Sequence, residues 1–372
     1  MAAPLYLHIG LQKTGTSYLQ TIFWASQDRL SAAGLELVPG SKRETFGLML
    51  DVRNRVNPEL DPPSYATAVQ RLPGMLSACA DRRVLISQES LASSTDEQVE
   101  RLLAACADRE VHVVVTVRDL ARQIPSAWQE EVKSGRTMTL DRYVERLRQT
   151  EDRSGRLWKQ KDVIGVLERW GRHVPPERIH VVTVPPSGSP GTLLLERFCS
   201  VLDLDPAVLD VDSAGRGNPG LGTAQVEVLR RVNEQLPDRL RRRVPYGDIG
   251  KRMFAMRVLA LQDGRRILLD ETHREWCDQV SREFAEHIGS GGYALVGSLD
   301  DLAPSASSFA PDAADASDKE MLDVAVSALA GVLGILMRER LERRRGETRR
   351  GERPLVASVG RLARFRGRLR RG

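Results

Sequence analysis

The chain has 372 residues, 41% of them hydrophobic and 28% charged, so it is long enough to bury a large core or two. That composition excludes collagenous, disulfide-scaffold and wholly disordered chains. The formal charge of +5 is uneven: residues 338–372 hold fourteen Arg and four Glu, net +10, which leaves a mildly acidic body of about −5 before them.

Residues 5–9 are a short apolar run closed by Gly10, and 17–24 read as the start of a helix, so the chain opens as strand, loop and helix. A second strand is expected at 84–87 and a helix at 96–107. Residues 111–117 follow, continuous and β-branched, the pattern of a parallel strand covered on both faces. A fourth strand, 179–184, comes after a helix containing 163–170 and ends at Pro185-Pro186. Strands alternating with helices predict an α/β fold with a doubly wound, mainly parallel sheet. Beyond it lie a loop at 185–190, a helix at 193–202 and a Gly-rich loop, 213–222, that opens a helix at 223–235. Residues 302–318, rich in Ala, Ser, Pro and Asp, read as a linker. The expected organisation is one domain over 1–300, a linker over 301–318, a helical C-terminal extension over 319–345 and a disordered Arg-rich tail over 346–372.

Four cysteines (Cys79, Cys106, Cys199, Cys277) form no CxxC pair and share no ligand-like spacing with the six histidines, so neither a metal site nor a disulfide framework is expected. A reducing cytoplasm fits. No leader pattern opens the chain, and the longest apolar run, 324–337, falls short of a membrane span.

The first βα turn reads Gly10-Leu-Gln-Lys13-Thr14-Gly15-Thr16-Ser17, the G-x-x-x-x-G spacing of a phosphate-binding P-loop. Its lysine is out of place for an ATPase, which needs Lys directly after the second Gly. The physical logic survives: loop amides and a helix N-terminus form an anion cradle, hydroxyls of Thr14, Thr16 and Ser17 add donors, and Lys13 adds charge. Only seven of the 55 basic residues are Lys, so a lysine here is informative. The strand at 111–117 ends in Arg118 where a magnesium-binding carboxylate would stand, with Asp119 one residue on. Arg118 and Ser126, eight residues later at a helix start, can meet on one phosphate at the sheet's mouth.

At these residues the sequence resembles the sulfotransferases that use 3′-phosphoadenosine 5′-phosphosulfate (PAPS). Their first motif is Lys, Ser or Thr, Gly, Thr, Ser or Thr, then Trp or Tyr, and residues Lys13-Thr14-Gly15-Thr16-Ser17-Tyr18 match throughout. Their second, Arg followed by Ser eight residues on, is met by Arg118 and Ser126. The resemblance implies that Lys13, Thr14, Gly15, Thr16 and Ser17 hold the 5′-phosphosulfate, that Tyr18 packs on the adenine, and that Arg118 and Ser126 hold the 3′-phosphate. It extends less specifically over residues 1–300 and is nearest to bacterial carbohydrate and natural-product branches. The basic loop that many members place before the last helix is replaced by residues 216–222, whose Asn218 and Gly220 are candidates for a third cofactor-binding loop.

Sulfuryl transfer needs a base for the acceptor hydroxyl and positive charge for the leaving phosphate. Lys13 suits the second role. Glu89, just past the second strand, is the candidate base, against the alternative that it caps the following helix. His8, inside the first strand, reads as a core histidine and stands second as base; His112, at the far edge, is discounted. Trp158, Lys159 and Lys161 open a helix or receive a ligand, and Trp128 is core or cleft. No metal is expected. Two other functions remain open: a P-loop kinase of a small molecule, and a non-catalytic scaffold acting through its basic tail. For the tail, disorder comes first, an anionic membrane surface at the inner face second and nucleic acid last.

Overall fold

A computed structural model describes residues 3–351 apart from 151, 154, 216–219, 242 and 312–315. Its strands in chain order are β1 (Leu5–His8), β2 (Leu35–Leu37), β3 (Arg83–Ser87), β4 (Val111–Val117), β5 (Ile179–Thr183), β6 (Leu269–Asp270), β7 (Ala294–Val296) and β8 (Phe309–Ala310). Six of them form one parallel sheet in the order β2-β3-β1-β4-β5-β7, and β6 pairs with β8. The α/β fold and mainly parallel sheet expected from the alternation of elements are therefore observed.

Burial alternates across the sheet. Leu5, Leu7 and Ile9 join one core cluster with Val113, Val115 and Val117, whereas Tyr6 and Val114 point into the other with Phe23 and Phe198. Both faces of β1 and β4 are thus covered, which is why neither strand carries a Lys, Arg, Asp or Glu. The edge strands β2 and β7 escaped the sequence reading because three residues carry too little periodicity.

Four helices matter for the site and its surroundings: α1 (Thr16–Ala25), α2 (Leu120–Lys133), α3 (Thr223–Gln235) and α4 (Asp318–Gly351). One expectation is corrected in α2. Ser126 lies inside the helix and not at its start, because the Asp119 side chain accepts from the Arg122 amide at 2.9 Å and begins the helix six residues earlier. Pro125, a residue favoured at helix starts, here sits within the helix. Residues 299–310, across the compositional linker, hold 3₁₀ turns and β8, with Leu302, Ser308 and Phe309 buried. A second correction concerns α4: over Asp318–Glu342 it is long and apolar enough to cross a membrane, by length and composition. Scattered polar residues had hidden this from a search for unbroken apolar runs. Most of the tail, 352–372, lies outside the described residues.

The connection from β1 runs to the β2 side and that from β4 to the β5 side, so a crevice opens at the C-terminal ends of these two neighbours. Beneath it His8 ties three strands together. Its Nδ1 lies 2.8 Å from Ser87 Oγ and its Nε2 3.4 Å from Thr116 Oγ1, and its ring meets Phe198 edge-on. Full burial pushes its pKa down to about 3, so the folded protein holds it neutral. The unfolded chain takes up a proton below about pH 6.5, and stability falls as pH drops through that value. This group alone costs roughly 2 kcal/mol between pH 7 and pH 5. His8→Gln should show a smaller loss of melting temperature over that interval than the wild type; an equal loss would place the titration elsewhere.

Candidate active site

The turn between β1 and α1 is built on left-handed backbone: φ is 42° at Gly10, 68° at Lys13 and 87° at Gly15. An added Cβ would also crowd a neighbouring side chain at both glycines. A Cβ at Gly10 would stand 2.6 Å from Thr16 Cγ2, and one at Gly15 would stand 2.4 Å from Leu194 Cδ2. Gly15 precedes α1, and no side chain caps that helix, so its first amides are open to an anion. Thr14 departs from the expected donor role: it is fully buried, and its hydroxyl donates to Leu11 O at 2.6 Å and pairs with Thr116 Oγ1 at 2.6 Å.

The register places His8 of β1 beside Ser87 of β3 and Val114 of β4, so the three strand ends deliver their loops to one place. Arg118, directly after β4, donates from Nη1 to Lys13 O at 3.2 Å, and its Nε is buried without a partner. Burial pulls the Arg118 guanidinium down to about 10, which leaves it charged at neutral pH. Glu89 stands just past β3, and its Oε2 accepts from Gln20 Nε2 at 3.1 Å. The cap of the following 3₁₀ turn is Gln88, whose side chain accepts from the Ser90 amide at 3.3 Å, so capping does not occupy Glu89.

These residues share a cavity of about 570 Å³. Lys13, Gly15, Thr16, Ser17, Tyr18, Glu89, Arg118, Ser126 and Gly220 all line it. Thr14 does not reach its wall, and Asn218 lies outside the described residues. Tyr18 is anchored through its hydroxyl, which donates to Gly191 O at 3.2 Å.

The sequence reading missed Glu130, Lys133 and Lys251, which face the same cavity. Lys13 Nζ donates to Glu130 Oε2 at 2.9 Å and Lys251 Nζ to Glu130 Oε1 at 2.5 Å. Burial alone would raise the Glu130 carboxyl, but these two lysines hold it down to about 2. Lys133, one turn further along α2, is buried, and desolvation together with Lys13 and Lys251 pulls its amine down to about 8 against the pull of Glu130. Three of the seven lysines thus meet here. Two signals could have found them: lysine is rare in this chain, and Ser126, Glu130 and Lys133 recur on one helical face. With Arg118 and Arg252 the cavity wall has five cations against the carboxylates Glu89 and Glu130, a donor set suited to a polyanion. A second cavity, of about 820 Å³, shares Lys133, Lys251 and Arg252 with the first.

Other candidates lie in the core. Trp128 is buried and donates to Met138 O at 2.7 Å, and Trp158 is buried and donates to Leu147 O at 2.9 Å. Lys161 donates to Leu157 O at 2.7 Å beneath the Tyr143 ring. His112 stacks on His180 at the start of β4. Asp119, the carboxylate nearest to a magnesium-binding position, is buried and spent on the start of α2, where it also pairs with Arg122. Among the described residues no group of three or more His, Cys, Asp or Glu could hold a metal ion.

No family model matches the chain, and no curated protein matches it. Solved structures that match include a sulfotransferase from Alicyclobacillus acidocaldarius, 17% identical, covering 65% of this chain and 100% of that one at a TM-score of 0.37. Another is a sulfotransferase domain from the curacin biosynthetic pathway, 12% identical, covering 59% of this chain and 81% of that one at a TM-score of 0.33. Likenesses so distant assign no residue a role.

The Lys133 amine is charged at pH 7 and loses its proton as pH rises through about 8. Affinity for an anion in this cavity, measured by titration calorimetry with sulfate, should therefore fall severalfold from pH 7 to pH 9. Lys133→Arg, which stays charged, should flatten that fall; an unchanged pH profile would remove Lys133 from the anion site.

Proposed function

We propose that the chain is a sulfotransferase that takes a sulfuryl group from PAPS and delivers it to a hydroxyl of a carbohydrate, glycolipid or small metabolite. The observation that carries this reading is the convergence of Lys13, Arg118, Ser126 and Glu89 on one cavity at the C-terminal ends of β1, β3 and β4. Its residues fit such a donor: an excess of cations for a polyanion, an uncapped helix N-terminus, and the buried Arg118 Nε without a partner. The donor brings the sulfuryl group on a phosphate that can leave.

In this assignment the amides of 15–17 and the Ser17 hydroxyl hold the 5′ end, Arg118 and Ser126 hold the 3′-phosphate, and Tyr18 packs on the adenine. Gly220 and Asn218 supply the third loop. Lys13 exchanges Glu130 for the phosphosulfate and meets the charge that grows on the leaving oxygen. Glu89 accepts the acceptor proton as the acceptor oxygen bonds to sulfur and the bond from sulfur to the 5′-phosphate oxygen breaks in line. The adjoining cavity gives the acceptor room beside Lys133 and Lys251.

Adenosine 3′,5′-bisphosphate should raise the melting temperature of the protein, and ATP with magnesium should not; the reverse result would favour a kinase. The two cations should then separate by phenotype. Arg118→Ala is expected to weaken bisphosphate binding by roughly 1.5 to 3 kcal/mol, the worth of a lost charged hydrogen bond. Lys13→Ala should lose more in turnover than in affinity, and exchanged phenotypes would mean that the two phosphates are misassigned.

Glu89→Gln keeps shape while removing the proton acceptor. Turnover of labelled PAPS with a responsive acceptor should fall about 10²-fold or more with bisphosphate affinity nearly unchanged. Near wild-type turnover would show that another group is the base.

A further inference from the structure

Helix α4 is apolar on two faces about 115° apart around its axis, and only one of them is packed. Met321, Ala328, Val332 and Ile335 turn toward the body, where α4 lies against α3 and Gly331 approaches Val258. The other face carries Leu322, Val326, Leu329, Leu333 and Leu336, each between 53% and 65% exposed. Their spacing of four, three, four and three residues sets them in one straight row about 20 Å long. Beside this helix an apolar groove of about 380 Å³ runs between α3 and the π-helical turn Gly247–Ala255, walled by Leu240, Ile249, Met253 and Val332. An apolar surface of this extent on the outside of a folded body marks a docking site.

The charge that follows the row says what covers it. Beyond Met337 the chain turns charged and then cationic: Arg338 and Arg340 are exposed on α4 and balanced by Glu339 and Glu342, and residues 343–372 carry a net +10. An apolar row that runs into a block of arginines is complementary to one surface, a bilayer with anionic headgroups, where the leucines enter the acyl boundary and the arginines meet phosphates. A second copy packed in parallel would instead bring two such cationic segments side by side. We infer that α4 docks the protein onto an anionic lipid surface, lying in its plane, with the body held on the helix's packed face. Because that packed face stays on α3, the helix lies along the membrane and does not cross it. The turn Gly247–Ala255, which gives Ile249 to the groove, also carries Lys251 and Arg252 into the candidate active site, so a docked membrane would lie against the edge of the cleft.

Sedimentation of the full chain with vesicles tests this independently of any activity. The protein should pellet with phosphatidylcholine vesicles containing about a third phosphatidylglycerol, pellet far less with phosphatidylcholine alone, and be released by high salt. Leu329→Glu with Leu333→Glu should weaken vesicle binding about tenfold or more, with an unchanged melting temperature because both side chains are exposed. Equal binding of the double variant, or equal binding to neutral and anionic vesicles, would overturn the inference. So would failure to bind either vesicle, and a dimer in light scattering that the double variant abolishes would assign the row to a second copy.

Discussion

Lysines that share a half-buried cleft repel one another, and like charges a few ångströms apart cost about 4 kcal/mol in such surroundings. Glu130 makes their company possible. Its two oxygens are divided between Lys13 and Lys251, and Lys133 stands near enough for its amine to be raised by the same carboxylate. The three partners come from separate parts of the chain: the β1–α1 turn, α2 and the turn Gly247–Ala255. One side chain therefore fixes the relative position of the segments that build the cavity. It also explains how a strongly cationic site persists before an anion arrives. An incoming polyanion takes over the counter-charge role, and the strain of crowding is then relieved by the ligand.

Below the charged layer a neutral layer sets the geometry. Ser87, His8, Thr116 and Thr14 form a hydrogen-bonded chain across β3, β1 and β4, ending at the turn that carries Lys13. Because burial keeps His8 uncharged, this floor adds no positive charge to a site already rich in it. The parallel register does the rest, since it brings the ends of the three strands to one edge and leaves Lys13, Glu89 and Arg118 there together.

Much of this was legible in the amino-acid order. The four longer strands of the sheet could be read because burial on both faces leaves them largely apolar, and the first turn because its glycines stand in left-handed backbone. Short edge strands could not be read, because their pairing is decided by neighbours distant in sequence. Glu130 was hidden for a similar reason: its place on one helical face with Ser126 and Lys133 was only a hint, and its pairing is decided by Lys13 and Lys251, distant in sequence. Thr14 shows the opposite limit. Its motif position is plain, yet its hydroxyl turns inward to Thr116, and only the packing of β4 decides that.

The central claim is that one cavity holds the two ends of a bisphosphate nucleotide in a fixed orientation. A crystal structure of the protein with adenosine 3′,5′-bisphosphate tests it most directly. The 3′-phosphate should lie within hydrogen-bond distance of Arg118 and Ser126, the 5′-phosphate should lie on the amides of residues 15–17, and Lys13 should have left Glu130 for it. A nucleotide bound in the opposite direction, or bound elsewhere with the Lys13–Glu130 pair intact, would contradict the account.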